Sequence, residues 1–166
     1  MSRGFVKEDD LELAGTDLPE RPISELPNYV TPHGLKQLKE MENTLLDERE
    51  LLSVKKDDPT VVQRLAMVDR DLRYVQARLE QAILVEIPQD HTPSTVVFGT
   101  TVIVEDDEGE KHHFQIVGED EADIAFGTVS FASPLAKALI GHKLGDSVRW
   151  KRPAGDLNLE IIQITY

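Results

Sequence analysis

The sequence predicts an α+β protein: an N-terminal antiparallel helical hairpin, then an antiparallel sheet carrying one short helix. Three observations predict it. Between residues 31 and 87, apolar residues recur at helical spacing and are interrupted once by turn chemistry. After residue 96 the apolar period changes to two. Within that second stretch a Ser-Pro pair opens a short helical segment that a glycine closes. Helices in one part of a chain and strands in another make an α+β pattern.

Residues 1–28 have weak periodicity and three prolines, Pro19, Pro22 and Pro27. They are expected to be a disordered acidic arm, read either as a solvated tail or as a short recognition arm anchored by Phe5 and Val6. The hairpin is expected over 29–87. Thr31-Pro32 starts the first helix, a hydroxyl cap followed by proline at the first helical position. Leu35, Leu38, Met41, Leu45 and Leu52 form its apolar stripe. Asp57-Asp58-Pro59-Thr60 turns the chain. Val61, Leu65, Val68, Leu72, Val75, Leu79 and Ala82 or Ile83 then follow a heptad seam. Two such helices joined by a short turn pack antiparallel, as a coiled coil.

Residues 88–95 read as a linker with two prolines. In 96–166, Val102 and Val104 alternate with Thr101, Ile103 and Glu105, and Asp106-Asp107-Glu108-Gly109 is a hairpin turn. His112 to Val117 is the return strand and Thr128 to Phe131 a third strand. Ser133 caps the short helix. Asp146 to Lys151 and Leu157 to Thr165 complete the sheet.

Composition excludes several classes. No cysteine is present, so there is neither a disulfide framework nor thiolate chemistry. No apolar run approaches the roughly 20 residues that span a bilayer, and the polar start is no signal peptide. A cytoplasmic protein is expected. The net charge of −13 argues against free nucleic-acid binding. That charge is uneven: residues 105–123 hold nine acids and one base, whereas 133–166 hold three acids and five bases. No nucleophile elbow and no phosphate-cradling glycine loop occurs. None of the five histidines has paired ligand spacing, and no metal site is expected. The acids at 105–108 lack the alternation of a calcium loop, and Glu119 to Asp123 read as a surface loop. Trp150 is expected to pack in the sheet.

Four pieces occur in order in the second half: Val97-Phe98-Gly99-Thr100, Phe114-Gln115-Ile116-Val117-Gly118, Ser133-Pro134-Leu135-Ala136-Lys137-Ala138-Leu139-Ile140-Gly141 and Gly145-Asp146. Together with the preceding hairpin, they resemble the bacterial Gre transcript-cleavage factors (GreA/GreB). The resemblance implies an FKBP-like fold for 96–166 and RNA polymerase as partner. In that family the coiled coil enters the polymerase secondary channel. Acids at its tip help hold the second Mg²⁺ of the polymerase active site, which polarises the water that cuts backtracked RNA. The edge matching the family's docking contact is Ser133, Pro134 and Leu135.

The family tip, roughly Gly-Asp-x-x-Glu-Asn-Ala-x-Tyr, is not found here. Thr31 to Ile87 is also shorter than the family's hairpin by about two helical turns per arm, or roughly 10 Å of reach. Asp57 and Asp58 occupy the tip. They are either metal-directed carboxylates or turn and helix-start chemistry. Lys55, Lys56, Arg64, Arg70, Arg73 and Arg78 either face the channel or RNA, or pair with Asp47, Glu48, Glu50 and Asp71 along the coiled coil. The resemblance therefore implies an accessory factor rather than an enzyme, with weak or absent stimulation of transcript cleavage. It would bring no cofactor of its own beyond the polymerase Mg²⁺, and meet nucleic acid only within the elongation complex. A monomer with no membrane partner is expected. Two alternatives stand beside it: a Gre-like competitor that inhibits polymerase, and an FKBP-type prolyl isomerase, which the 5% aromatic content disfavours.

Overall fold

The computed structural model describes residues 18–166. The proposed anchors Phe5 and Val6 lie outside them. Two compact units are present. Among the described residues, one holds 18–27 and Lys36–Gln81; the other holds Asn28–Leu35 and Ala82–Tyr166.

The first unit is the hairpin. Helix α1 (Pro32–Ser53) and helix α2 (Pro59–Gln81) run antiparallel, since Arg64 pairs with Glu48 and Arg49 with Asp69. Val68, Leu72 and Val75 are buried, with Leu38 and Leu45 buried on α1. The middle of the seam that the heptad spacing predicts is thus buried; Leu65 and Leu79 are half-buried, and Ile83 lies beyond the helix and is 46% exposed. Met41 departs from the seam: its side chain is 45% exposed. Leu38 and Leu45 stand seven residues apart and carry the α1 stripe without it. The helices end at Gln81, short of Ile87, and Ala82–Leu84 form a strand instead.

That strand, β2, belongs to the second unit. It pairs in parallel with β1 (Asn28–Val30), Tyr29 standing opposite Ile83. The main sheet is built from β3 (Thr101–Glu105), β4 (Lys111–Val117), β5 (Thr128–Ser130), β6 (Ser147–Trp150) and β7 (Leu157–Thr165), in the order β5-β4-β3-β7-β6. The expected all-antiparallel sheet is corrected here, because β4 and β5 run parallel. Residues 118–127, including a 3₁₀ turn at Ile124–Phe126, make the crossover that a parallel pair requires.

Alternation places the core. Val102 and Val104 of β3 are fully buried, as are Leu159 and Ile161 of β7. Ile162 is then an extra residue against β3, where the register jumps between Ile103 and Val104. A bulge moves the inward positions from odd to even, so Ile164 faces the core. Helix α3 (Pro134–Leu139) covers the sheet with Leu135, Ala136 and Leu139. Ser133 caps it, its Oγ accepting from the Ala136 amide at 3.2 Å. Gly141 takes φ 88°, and its amide donates to the Val96 carbonyl at 2.8 Å.

β1 is held by a close approach. A Cβ on Gly118 would stand 2.3 Å from the Tyr29 carbonyl oxygen. The Tyr29 ring packs edge-on against Phe131 at 5.5 Å and tilted against Phe98 at 6.0 Å. Thr31, buried just after β1, caps α1 by accepting the Gly34 amide at 3.0 Å.

Two predictions follow from this packing. Gly118→Ala must displace main chain rather than a flexible side-chain end, so it should cost at least the ~1–3 kcal/mol of ordinary overpacking, measured by denaturant unfolding. In the hairpin, Leu72→Ala should cost roughly 2–5 kcal/mol while Met41→Ala changes little. Far-UV melts of the two variants check the ranking.

Candidate functional site

The tip is short and fully exposed. After Ser53 the chain turns through 54–57, with the Lys55 amide donating to the Leu52 carbonyl at 3.1 Å. Asp58 is the cap of α2. Its Oδ1 accepts from the Thr60 amide at 2.9 Å and from the Thr60 hydroxyl at 2.7 Å. The Thr60 hydroxyl, then the amides of the helix start, hold this carboxyl below its ordinary pKa. Asp58 is thus committed to the turn. Asp57 beside it is exposed and takes no such part. Lys55 and Lys56 are exposed too, as are the apolar side chains of Leu51 and Val54.

The arginines named from sequence are mostly paired. Arg64 donates from Nε and Nη2 to the two oxygens of Glu48, which raises its pKa and lowers that of Glu48. Arg70 meets Asp71 at 3.3 Å. Arg73 is held by Glu20, from the stretch expected to be a free arm. Arg78 is not a surface cation; it is 1% exposed.

On the sheet unit, Ser133, Pro134 and Leu135 do not share one role. Leu135 is 3% exposed and belongs to the core, reaching the surface only as part of a groove floor. Pro134 is exposed and Ser133 is used as the cap. Pro134 stands on the rim of a groove of about 690 Å³, lined chiefly by Ile124, Val129, Pro134, Leu135, Trp150 and Pro153, with Lys151 and Arg152 at its edge. Trp150 packs against Phe114 at 5.8 Å, with the Arg152 guanidinium 5.2 Å from its ring centroid. It therefore joins sheet and groove. No single stretch of sequence announces this groove. Its one local signal is the apolar Ile124-Ala125-Phe126 inside an acidic loop, where Phe126 is 83% exposed.

Two acidic stretches resolve differently. Asp106 is the hairpin-turn cap: Oδ1 accepts from the Glu108 and Glu110 amides, and Oδ2 lies 2.8 Å from His112 Nε2. His112 first, then those amides, hold Asp106 below its ordinary pKa. The fold brings ligand atoms of Asp106, Glu110 and His112 within 4.8 Å of one another, a grouping the histidine spacing does not reveal; within it the Asp106 carboxylate is engaged by the turn and by His112. The expected surface loop at 119–123 is corrected at Glu121. Its side chain is 6% exposed and accepts from the Thr31 hydroxyl, with His33 Nδ1 at 3.2 Å.

Comparison with known proteins agrees with the motif order. Residues 90–166 match the model of the family described as "Transcription elongation factor, GreA/GreB, C-term". The GreA of Neisseria meningitidis serogroup A is 31% identical over 159 residues, spanning 94% of this chain and 96% of the relative. The chain belongs to the GreA/GreB family. The GreA of Pelobacter propionicus is 44% identical over 104 residues; this match covers 62% of the chain and 65% of that relative, just under two thirds of its length. A GreA factor homologue of Thermus thermophilus has a solved structure that aligns with 85% of the chain and all of its own, at 23% identity and a TM-score of 0.41. Among the described residues, no helix of this Gre-family chain is long and apolar enough to cross a membrane.

Asp58 supplies a test of the tip. A carboxylate whose folded pKa is depressed stabilises above its unfolded pKa and loses that effect as pH falls through the folded value. Asp58→Ala should therefore lower hairpin stability at neutral pH. The gap to the parent should close as acid protonates Asp58. Thermal melts from neutral pH to below the carboxylate range check this.

Proposed function

We propose that this chain regulates bacterial transcription elongation by binding RNA polymerase at the secondary channel, with weak or absent stimulation of transcript cleavage. The observation that carries the second clause is the tip. Of the two acids at the turn, Asp58 is engaged as a helix cap. Asp57 alone remains, beside Lys55 and Lys56. Mg²⁺ needs carboxylate oxygens at about 2.0–2.1 Å, and this short turn offers few. Family membership supports the first clause, and the exposed Pro134 on the groove rim supplies a docking edge.

The chemistry of any cleavage would belong to the polymerase and its own Mg²⁺. The role of this chain would be to reach in, occupy the channel and orient what charge it carries. A factor that binds without cleaving acts as a competitor for the channel, which is the alternative reading of the same tip.

Two measurements test the proposal. Pro134→Asp places a charge on the groove rim and should weaken polymerase binding about tenfold or more, near 1.4 kcal/mol; unchanged affinity of the folded variant would sink the docking assignment. In the second, backtracked complexes are scored for release of short 3′ RNA fragments. Little release is expected, and whatever occurs should vanish in Asp57→Ala, Asp58→Ala while binding persists. Robust release that survives the double substitution would contradict the proposal.

A further inference from the structure

The acidic excess of the sheet unit gathers at the turn between β3 and β4, where Glu105, Asp106, Asp107, Glu108 and Glu110 precede Lys111. Two of these acids meet an imidazole. Glu110 and His112 stand two positions apart, the spacing at which extended backbone sets side chains on one face; His113 takes the other face. The turn returns Asp106 to the same place. One ligand atom from each of Asp106, Glu110 and His112 lies within 4.8 Å of the other two.

That spacing suits donors around one ion. Oxygen and nitrogen ligands about 2.0–2.2 Å from Zn²⁺ stand roughly 3–3.5 Å from one another. Asp106 Oδ2 and His112 Nε2 are already 2.8 Å apart, so little movement would seat a cation between them. Glu110 is exposed, and its carboxylate is free to swing in.

The other two donors are backed by bonds of their own, which is how ligands are oriented before a metal arrives. Asp106 Oδ1 accepts the Glu108 and Glu110 amides at 2.9 and 3.0 Å. One oxygen is thus spent on the turn, and the other is aimed at the imidazole. The Asp106 side chain is 6% exposed. The His112 ring stacks on Phe114, with 3° between the planes. Asp106 also lines a polar cavity of about 180 Å³ with Glu105, Asp107 and Glu160, and carboxylates so grouped draw cations in.

A nitrogen donor beside two carboxylates suits a transition cation better than Mg²⁺ or Ca²⁺, which take oxygen. We propose that Asp106, Glu110 and His112 form a three-ligand site for a divalent transition cation of the Zn²⁺ type, which would clamp the hairpin between β3 and β4 and keep a further position open. The site rests neither on the coiled-coil tip nor on polymerase.

The full chain, stripped with chelator, is titrated with Zn²⁺ and with Mg²⁺ by calorimetry, and histidine side-chain NMR shows which ring responds. Zn²⁺ should bind in one-to-one ratio, about tenfold tighter than Mg²⁺ or better, and shift His112 ahead of the other histidines. His112→Ala and Glu110→Gln should each weaken Zn²⁺ about tenfold or more, while His113→Ala leaves it unchanged. Zn²⁺ should also raise the melting temperature of the parent more than that of Glu110→Gln. Glu110→Gln decides the matter, since it leaves the hydrogen bond between Asp106 and His112 and the turn in place; should His112→Ala fail to fold, it is read alone. Absence of saturable Zn²⁺ binding, or affinity that survives Glu110→Gln, would overturn the site and leave a hydrogen-bonded pair. Equal affinity for Mg²⁺ would overturn the choice of cation.

Discussion

The Gly118 backbone passes so close to the Tyr29 carbonyl that no side chain fits between them, and β1 is held on that approach. β1 ends one residue before Thr31, the cap of α1, and β2 begins where α2 ends. Pairing β1 with β2 therefore sets the segment before α1 beside the segment after α2 within the second unit. The Tyr29, Phe98 and Phe131 rings pack on one another beside β1. Glu121 adds a bond to the same unit: a nearly buried carboxylate would be costly unbonded, and the Thr31 hydroxyl satisfies it. Even Gly34 is part of this arrangement, since a Cβ there would meet the Glu121 carboxylate.

The acidic excess is organised by local bonds. Asp58 and Asp106 each cap a turn, and Asp146 does the same by accepting the Lys143 amide. Glu20, Glu48 and Asp69 neutralise arginines of the hairpin. Such oxygens are spent on shape. That distinction matters for function, because a metal-directed acid must keep its oxygens available. The tip of this Gre-family chain exposes Leu51, Val54, Lys55 and Lys56 beside Asp57.

Elements with local causes were legible in the sequence. Thr31-Pro32, Asp58-Pro59 and Ser133-Pro134 each announce a helix start, and each starts one. β7 is found at Leu157–Thr165, the bounds expected from the sequence, although a bulge interrupts its alternation. What was not legible depends on distant partners. Asn28–Val30 is too short to signal a strand and exists because Ala82–Leu84 lies beside it. The parallel sense of β4 and β5 is a property of the crossover, not of either strand. Burial of Glu121 depends on Thr31, ninety positions away. The groove is assembled from residues of β5, α3 and β6 with the flanking loops, so no single stretch encodes it. Leu135 shows the converse: its motif position suggested a surface contact, while its apolar character placed it in the core.

Entry of the tip into the polymerase channel is the central claim, and a photocrosslinker at Val54, which is 82% exposed, tests it most directly. Crosslinked to halted elongation complexes and mapped by mass spectrometry, Val54 should mark residues lining the secondary channel. Crosslinks confined to the outer surface of polymerase, or none under conditions where binding is saturated, would contradict the account.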